Sequence, residues 1–263
     1  MSALASLAGR VAFVSGGGGG IGHAACLAFA AAGARVAVCD LDAARAERTA
    51  RAVEAAGGEA VALPADITED AQVASAVAAC VARFGGLDIL YNCAGGTVPQ
   101  DGTVTDVALD VFDRTFDLDV RGTFLCCRHA IPHMIKGGRG AIINMSSGAA
   151  LRGASPFHVY SAAKGAVLSF TRALAGTYAK HGIRANVIAS GRVMTDRIIR
   201  TWGTLEQQAN GQDPQDPVGR AREYPFWIGE PEHIAATAVF LASDAARMIT
   251  GATIPADGGR SAY

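Results

Sequence analysis

The sequence has little net charge, few aromatic side chains and no long apolar run. Charged residues make up 18% of its 263 positions, aromatic residues make up 6%, and the formal net charge is −1. Such a small net charge argues against binding to nucleic acid or to an anionic membrane. No apolar run reaches the roughly 20 residues that span a bilayer, and no basic segment precedes an apolar stretch near residue 1. We therefore expect a cytoplasmic protein without a signal peptide and without nucleic-acid or membrane partners.

Patterns typical of disulfides and metal sites are also missing. None of the six cysteines stands in a Cys-x-x-Cys pair, and most lie in apolar runs, as reduced core thiols do. His129 and His133 have the i,i+4 spacing of a helical metal site. However, no acidic residue lies between them, and we expect Pro132 to interrupt the helix. The sequence predicts no metal site.

What the sequence does contain is an alternation of short apolar runs with longer alanine-rich stretches. The runs are nearly continuous in apolar residues, as strands buried on both faces are. The predicted strands are Arg10–Ser15, Arg35–Asp40, Ala60–Pro64, Leu87–Asn92, Ala141–Ser146, Ile183–Ile188 and Ala252–Ala256. The predicted helices are Ile21–Ala32, Ala43–Ala56, Glu69–Phe84, Leu109–Ile135, Val159–Lys180 and Glu232–Ala242.

Each helical stretch is too long for a hairpin, so the strands are joined by crossover connections. This predicts an α/β fold in which a doubly wound parallel sheet of the Rossmann type carries helices on both faces. No repeat or linker divides residues 1–263, which we interpret as one domain. Residues 191–231 are rich in Gly, Pro, Gln and Asp and contain four aromatic residues. A long irregular insert of this kind predicts a lid over the site.

A glycine-rich segment follows the first predicted strand. Residues 15–22 read Ser-Gly-Gly-Gly-Gly-Gly-Ile-Gly and lead directly into a predicted helix. Glycines allow a tight turn and a close approach of a pyrophosphate, and the helix N-terminus offers free amides and a partial positive charge. Between a strand and a helix, this segment predicts dinucleotide binding rather than a flexible loop.

An acidic residue, Asp40, ends the second predicted strand. A carboxylate there can accept hydrogen bonds from the adenosine ribose hydroxyls and would repel the additional phosphate of NADP. No lysine or arginine stands in the glycine segment to attract that phosphate. Both features favour NAD. The alternative is that Asp40 only caps the helix starting near Ala43, a role for which Asp42 competes.

Further motifs follow in a set order and complete a family pattern. They are Asp66-Ile67, Asn92-Cys93-Ala94-Gly95, Ser147, Tyr160-x-x-x-Lys164, Ile183-Arg184-Ala185-Asn186 and Asp257-Gly258-Gly259. With the glycine segment, this ordered set resembles the short-chain dehydrogenase/reductase family over essentially the whole chain. The resemblance implies a set of cofactor-binding residues. They are Ser15, Gly16, Gly20, Ile21, Gly22, Asp40, Leu41, Asp66, Ile67, Asn92, Ala94, Gly95, Tyr160, Lys164, Val193 and Thr195.

Two positions depart from the family pattern. Ser190-Gly191 replaces the usual Pro-Gly after the sixth strand, and Asp119 replaces the asparagine that holds a relay water beside the active-site lysine. Aspartate can still accept hydrogen bonds from such a water, but it adds a negative charge if ionised. We expect Asp119 to stay in the proton relay. Alternatively, it is protonated, another side chain holds the water, or it pairs with a nearby arginine, Arg114 or Arg121.

Tyr160, Lys164 and Ser147 suit hydride-transfer chemistry. A free tyrosine loses its proton only near pH 10, but Tyr160 and Lys164 are four residues apart and share a helix face. The ammonium group therefore favours the phenolate. Ser147 ends the fifth predicted strand and can steady the substrate oxygen. These residues predict an oxidoreductase that acts on an alcohol or ketone.

Other functions fit the residues less well. Related lyases and dehalogenases lose the glycine segment that this chain keeps, and a non-catalytic NAD-binding protein would not need the three catalytic side chains. An acyl-transfer role for Ser147 is disfavoured because no Gly-x-Ser-x-Gly sequence surrounds it.

The substrate and the assembly are predicted only in outline. The pocket walls are expected to include Ala149, Leu151, Phe157, Val159, Met194 and Trp202, which favours an apolar secondary alcohol or ketone. Arg152, Arg192 and Arg197 suggest instead a substrate carboxylate or phosphate; the alternative is that at least two of the three are surface arginines. The resemblance also implies a homotetramer, consistent with the many apolar residues in Leu109–Ile135 and Val159–Lys180.

Overall fold

In the computed structural model, which describes residues 5–153, 155–203 and 226–262, seven strands form one parallel sheet. These strands are β1 (Val11–Ser15), β2 (Arg35–Asp40), β3 (Ala60–Pro64), β4 (Ile89–Asn92), β5 (Gly140–Ser147), β6 (Ile183–Ser190) and β9 (Thr253–Ala256). Their order is β3-β2-β1-β4-β5-β6-β9, with every pairing parallel. The predicted doubly wound fold and all seven predicted strands are confirmed.

The direction of winding reverses between β1 and β4, which is where such sheets leave a crevice at their carboxyl edge. Helices cover both faces of the sheet. They are α1 (Gly20–Ala31), α2 (Ala43–Ala55), α3 (Asp70–Phe84), α4 (Leu109–Phe116), α5 (Gly122–Gly137), α6 (His158–Tyr178), α7 (Asp196–Trp202) and α8 (Pro231–Ala242). One buried core lies between the sheet and α1, α2 and α8, and the other lies between the sheet and α3, α5 and α6. No helix in the described ranges is long and apolar enough to cross a membrane.

The predicted long helix Leu109–Ile135 has an irregularity at its centre. A π-helical turn over Asp117–Arg121 joins α4 to α5, and it contains Asp119. π-helical turns are often found at functional sites. The expectation that Pro132 interrupts this helix is wrong, since α5 continues to Gly137. Packing explains the continuity, because the neighbouring Ile131 and Met134 are buried against the sheet.

The two ends of the predicted lid over 191–231 are ordered. β7 (Arg192–Val193) pairs in parallel with β8 (Ile228–Gly229), and α7 follows β7 directly. Two-residue strands leave no periodic pattern in a sequence, so this small sheet was not predicted. Residues 204–225, the greater part of the predicted lid, lie outside the described residues, and the lid stays a prediction.

Candidate active site

A cavity of about 470 Å³ opens at the carboxyl edge of the sheet, at the crevice between β1 and β4. Most of the residues predicted to bind cofactor or substrate line it. They are Gly16, Gly20, Ile21, Gly22, Asp40, Leu41, Asp66, Ile67, Ala94, Gly95, Ser147, Tyr160, Lys164, Val193 and Thr195. Three other predicted residues, Ser15, Asn92 and Asp119, lie behind the wall and are almost fully buried. The fold thus brings segments from all along the chain to one site.

Two glycines, Gly16 and Gly22, shape the turn between β1 and α1. Any other residue at either position would displace neighbouring backbone atoms. Gly16 has a φ of +67°, and a Cβ atom there would lie 2.8 Å from the Cα atom of Ala94. A Cβ atom on Gly22 would lie 2.1 Å from the carbonyl oxygen of Gly16. Because α1 begins at Gly20, its free amides face the cavity that the turn borders. This is the geometry that suits a pyrophosphate.

The segment after β7 crosses from this turn to the end of β4. A Cβ atom on Gly20 would lie 2.7 Å from Cγ2 of Thr195, and one on Gly96 would lie 2.5 Å from Nη2 of Arg197. Arg197 also donates a hydrogen bond of 2.9 Å to the carbonyl oxygen of Thr97. Thr195 and Arg197 therefore connect the loops after β1 and β4. Sequence analysis did not foresee the Arg197–Thr97 contact, because its partners are 100 residues apart.

At the end of the cavity where adenosine is predicted to bind (the adenosine end), Asp40 is held by backbone amides. Its Oδ2 atom accepts a hydrogen bond from Gly18 N at 2.9 Å, and its Oδ1 atom accepts one from Asp42 N at 3.0 Å. The alternative role for Asp40 falls to its neighbour, since Asp42 caps α2 by accepting from Arg45 N. Arg45 and Arg48 also line this end of the cavity. The sequence alone did not indicate either residue, because both lie in α2, outside the glycine segment.

At the opposite end, Ser147, Tyr160 and Lys164 line the cavity together. Ser147 ends β5, and its Oγ atom accepts a hydrogen bond of 3.1 Å from Ala149 N. Tyr160 and Lys164 lie one turn apart in α6, with Lys164 Nζ 5.6 Å from the centroid of the Tyr160 ring. Their four-residue spacing thus places both side chains on one face of α6, as the prediction requires.

Lys164 is a buried cation with two fixed partners. Its residue is 4% exposed, and its Nζ atom donates to the carbonyl oxygen of Met145 at 3.2 Å and lies 3.2 Å from Oδ1 of Asp119. Burial works against the charged form of Lys164. The Asp119 carboxylate and Tyr160 outweigh that effect, so the pKa of Lys164 is raised. The lysine side chain therefore enters the site as an ammonium group.

The sequence could not assign a partner to Asp119, which in the structure lies beside Lys164. It is 1% exposed, and its Oδ1 atom also accepts from Gly96 N at 3.2 Å. Burial raises the pKa of Asp119, and the Lys164 ammonium offsets part of that rise. The alternative pairing with Arg114 or Arg121 is wrong, because Arg114 pairs with Asp110 and Arg121 donates to the carbonyl oxygen of Thr68.

The second carboxylate oxygen of Asp119, Oδ2, is a polar atom in the protein interior. Oδ2 is buried and has no hydrogen-bond partner among the described residues. Buried polar atoms are normally satisfied, often by ordered water. Gly95 makes room for this carboxylate, since a Cβ atom there would lie only 1.9 Å from Oδ1 of Asp119. This unsatisfied oxygen beside Lys164 fits the relay role predicted for the position.

A buried polar chain supports the catalytic end from behind. Asn92 Nδ2 donates to Asn144 Oδ1, and Asn144 Nδ2 donates to Thr171 Oγ1, each at 2.8 Å. The chain links β4, β5 and α6 beneath the cavity. Cys93, which stands where the family has a second asparagine, lines the cavity. Burial raises the pKa of its thiol to about 11, so the thiol is uncharged at neutral pH.

The predicted substrate walls are placed differently. Ala149, Phe157, Val159 and Met194 are buried, and none of them is among the residues that line the described cavity. Its apolar lining includes Leu118, Met145 and Ile198 instead, and its charged lining includes Arg192, Arg197 and Arg200. Trp202 ends α7, and its side chain is outside the described part of the structure.

The chain is similar to known proteins over nearly its whole length. A family profile described as enoyl-(acyl carrier protein) reductase matches residues 16–261. The chain is 38% identical over 264 residues to 2,5-dichloro-2,5-cyclohexadiene-1,4-diol dehydrogenase of Sphingobium indicum, covering 98% of this chain and 100% of the relative.

Two solved structures share the fold over nearly the whole chain. A short-chain type dehydrogenase/reductase from Mycobacterium ulcerans superposes with a TM-score of 0.88 at 32% identity, covering 98% of this chain and 91% of the other. A 7α-hydroxysteroid dehydrogenase complexed with NADH and 7-oxo glycochenodeoxycholic acid superposes with a TM-score of 0.87 at 30% identity, covering 98% and 97%.

The chain belongs to the short-chain dehydrogenase/reductase family. Within that family it is an oxidoreductase that transfers a hydride between a nicotinamide cofactor and an alcohol or ketone.

Proposed function

We propose that this protein is an NAD-dependent dehydrogenase of a secondary alcohol, with Tyr160 as its general acid/base. The observation that carries this proposal is the shared cavity, in which a glycine turn at a helix N-terminus faces a serine, a tyrosine and a buried ammonium. The residues present fit a dinucleotide. The turn offers amides and positive charge for a pyrophosphate, and Asp40 stands at the end of β2 where a ribose would be bound.

In the oxidation direction, Tyr160 as phenolate accepts the proton of the substrate hydroxyl. The Lys164 ammonium stabilises the phenolate, because it lies near the Tyr160 ring and is shielded from solvent. The Ser147 hydroxyl donates a hydrogen bond to the substrate oxygen as charge develops there. When bound, NAD supplies the hydride acceptor. Asp119 holds Lys164 in place and, through its buried Oδ2 atom, a water that returns the proton to solvent.

We infer a preference for NAD over NADP from Asp40. Its carboxylate is fixed by two backbone amides, and it would repel a 2′-phosphate on the ribose. Arg45 and Arg48 oppose this effect, since they line the same end. Arg45 is already paired with Asp42 at 3.3 Å, which reduces its availability to a phosphate.

The cavity favours a substrate with a sizeable apolar part. Leu118, Met145 and Ile198 contribute apolar surface. The diol and steroid named for the two dehydrogenases above are ring compounds bearing hydroxyl or oxo groups. The cavity arginines keep a second class open, in which the alcohol carries a carboxylate or phosphate.

We propose a homotetramer because large apolar side chains stay exposed on α4 and α5. Leu109 is 80% exposed, Phe112 is 41% exposed and Phe124 is 45% exposed. Phe112 stacks on Phe116, with ring centroids 4.4 Å apart. Exposed apolar patches of this kind mark association surfaces. Light scattering should give a tetramer mass at micromolar concentration, and Phe112→Asp combined with Phe124→Asp should lower it. A monomeric wild type would contradict the assembly.

The activity is tested by following NADH absorbance at 340 nm against a matched panel. One arm contains neutral cyclic and acyclic secondary alcohols with their ketones, and the other contains hydroxy acids and their keto acids. We expect turnover in the neutral arm with NAD, with kcat/KM at least about tenfold higher than with NADP. If the purified protein binds NADH but turns over no member of either arm, the proposed function is wrong.

A further inference from the structure

The loop between β4 and α4 reaches across the site to the start of α6, the helix that carries Tyr160 and Lys164. α6 begins at His158, and the side chain of its N-cap residue, Phe157, is apolar and cannot accept a hydrogen bond. The first amides of a helix have no acceptor within the helix. Because Phe157 and Val159 are buried at this helix start, amides there need acceptors from elsewhere in the protein.

One remote carboxylate accepts from two of these amides. Asp101 Oδ2 accepts from Tyr160 N at 2.8 Å, and Asp101 Oδ1 accepts from Val159 N at 3.2 Å. Asp101 is 7% exposed, and it is 59 residues from Tyr160 in the sequence. A carboxylate at a helix N-terminus also interacts favourably with the helix dipole. The backbone of the proposed acid/base residue is thus hydrogen-bonded directly to Asp101.

The remaining amide of the first turn is satisfied by the next residue of the same loop. His158 N donates to the carbonyl oxygen of Gly102 at 3.1 Å, whereas Ser161 N already donates to Phe157 within the helix at 3.0 Å. A reciprocal bond runs the other way, from Val104 N to Nδ1 of His158 at 3.0 Å. Every free amide of this turn is therefore bound by residues 101 and 102.

We propose that Asp101 is the positioning residue for Tyr160, holding the first turn of α6 against the catalytic end of the cavity. The inference rests on the proposed role of Tyr160. Lys164 is held independently, one turn further on, by Met145 and Asp119. Loss of the Asp101 carboxylate would therefore displace Tyr160 relative to Lys164. A displacement of about 1 Å can slow an enzymatic step by roughly 100-fold.

The same argument predicts little effect on the cofactor. Asp101 is not among the residues that line the described cavity, and the glycine turn and Asp40 lie on the other side of the crevice. A positioning role for Tyr160 should lower kcat while the dissociation constant for NADH stays constant. A merely structural role would lower both together, in proportion to the loss of folded protein.

The chain offers a matched control in Asp88. Its carboxylate also accepts from a backbone amide, Val11 N at 2.9 Å, and pairs with Arg139 at 2.5 Å. Its side chain is 12% exposed. It precedes β4, at the edge of the sheet opposite the cavity. Asp88→Ala therefore removes a partly buried carboxylate that also accepts from a backbone amide, without reaching the site.

The experiment compares Asp101→Ala, Asp101→Asn and Asp88→Ala as full-length enzymes. The readouts are kcat per bound NADH with a ketone from the panel, the dissociation constant for NADH by fluorescence titration, and amide hydrogen exchange at residues 158–160. For Asp101→Ala we expect kcat to fall about 10- to 100-fold, the NADH dissociation constant to change less than about twofold, and exchange at residues 159 and 160 to accelerate. Asp101→Asn, which keeps one acceptor oxygen, should retain more activity and provides the test if the alanine variant does not fold.

Two results would overturn the positioning role. One is a kcat for the Asp101 variants within about twofold of the wild type. The other is a loss of kcat in Asp88→Ala equal to that in Asp101→Ala. Hydrogen exchange needs no substrate, so it tests the capping contact even if the wild type reduces no ketone. In that case only the proposed function fails.

Discussion

The two ends of the cavity are built in different ways. The adenosine end comes mainly from one local unit, β1 to β2, and it presents backbone amides and glycines, with Asp40 held by Gly18 N. The catalytic end is assembled from side chains on β5, α6, the π-helical turn and the loop after β4, and its charges are buried. A pyrophosphate can be bound by backbone amides alone. Proton transfer, in contrast, needs side chains that are held at fixed positions. Substitutions should therefore affect the two ends separately.

The largest difference between the effect on catalysis and the effect on NADH binding is expected for Tyr160→Phe. This change removes the hydroxyl that exchanges the proton and leaves the packing of the ring almost unchanged. General acid/base catalysis contributes roughly 10²- to 10⁴-fold, so we expect kcat to fall about 1,000-fold in both directions. Stopped-flow measurement of NADH oxidation gives the rate, and fluorescence titration should show an NADH dissociation constant within about twofold of the wild type. A residual kcat above about one tenth of the wild-type value would contradict the role of Tyr160.

Gly95→Ala should affect both ends of the cavity, because Gly95 stands between them. Its φ of +134° is unfavourable for alanine, and the new Cβ atom would lie 1.9 Å from Oδ1 of Asp119. We expect the free energy of unfolding to fall by roughly 2–5 kcal/mol, measured by urea denaturation. Gly176→Ala is the matched control, since Gly176 lies in α6 with nothing within 4 Å of a new Cβ atom. It should raise stability by up to about 1 kcal/mol. Equal effects of the two variants would mean that Gly95 is not spatially constrained.

Asp40→Ser should change only the adenosine end. Loss of the carboxylate removes the repulsion of a 2′-phosphate and leaves Arg45 and Arg48 beside it. We expect the ratio of kcat/KM for NAD over NADP to fall about tenfold or more, with kcat for NAD within about threefold of the wild type. Adding Arg45→Gln and Arg48→Gln should reduce the NADP activity again. A wild type that prefers NADP would overturn the cofactor assignment.

Asp119→Asn should give the smallest effect, confined to the pH dependence of the catalytic end. We expect the wild-type carboxylate, 3.2 Å from Lys164 Nζ, to offset part of the attraction between the Lys164 ammonium and a Tyr160 phenolate. Removing that charge favours the phenolate, so the acidic limb of kcat for alcohol oxidation should move to lower pH by less than about one unit. The pKa of Lys164 is raised partly by Asp119, so any alkaline limb due to Lys164 should also move to lower pH. An acidic limb that stays in place or moves upward would mean that Asp119 does not act on Tyr160 through charge.

The sequence predicted local features well and long-range contacts poorly. The seven strands followed from apolar runs, and the glycine turn followed from its position between a strand and a helix. The partner of Asp119 could not be predicted, because Lys164 and two arginines were all available and only the packing of α6 decides among them. The π-helical turn has the same composition as ordinary helix. Arg45 was overlooked because its position at the cavity depends on how α2 packs beside the glycine turn.

The capping of α6 by Asp101 is a further example of a contact that sequence analysis could not reveal. Helix caps are recognised from residues next to the helix start, and Phe157 gives no such signal. The acceptor comes instead from a loop 59 residues away. Buried hydrogen bonds between distant segments thus complete the catalytic end.

The most direct test of the account is whether hydride and proton transfer occur in this one cavity and depend on its two ends. NADH carrying deuterium at both C4 positions would be mixed with a ketone of the panel, and the alcohol product would be analysed by mass spectrometry. The account predicts deuterium on the carbinol carbon for the wild type. It also predicts about 1,000-fold slower incorporation for Tyr160→Phe, although that variant binds NADH normally. An alcohol product without deuterium, or one formed equally fast by Tyr160→Phe, would contradict it.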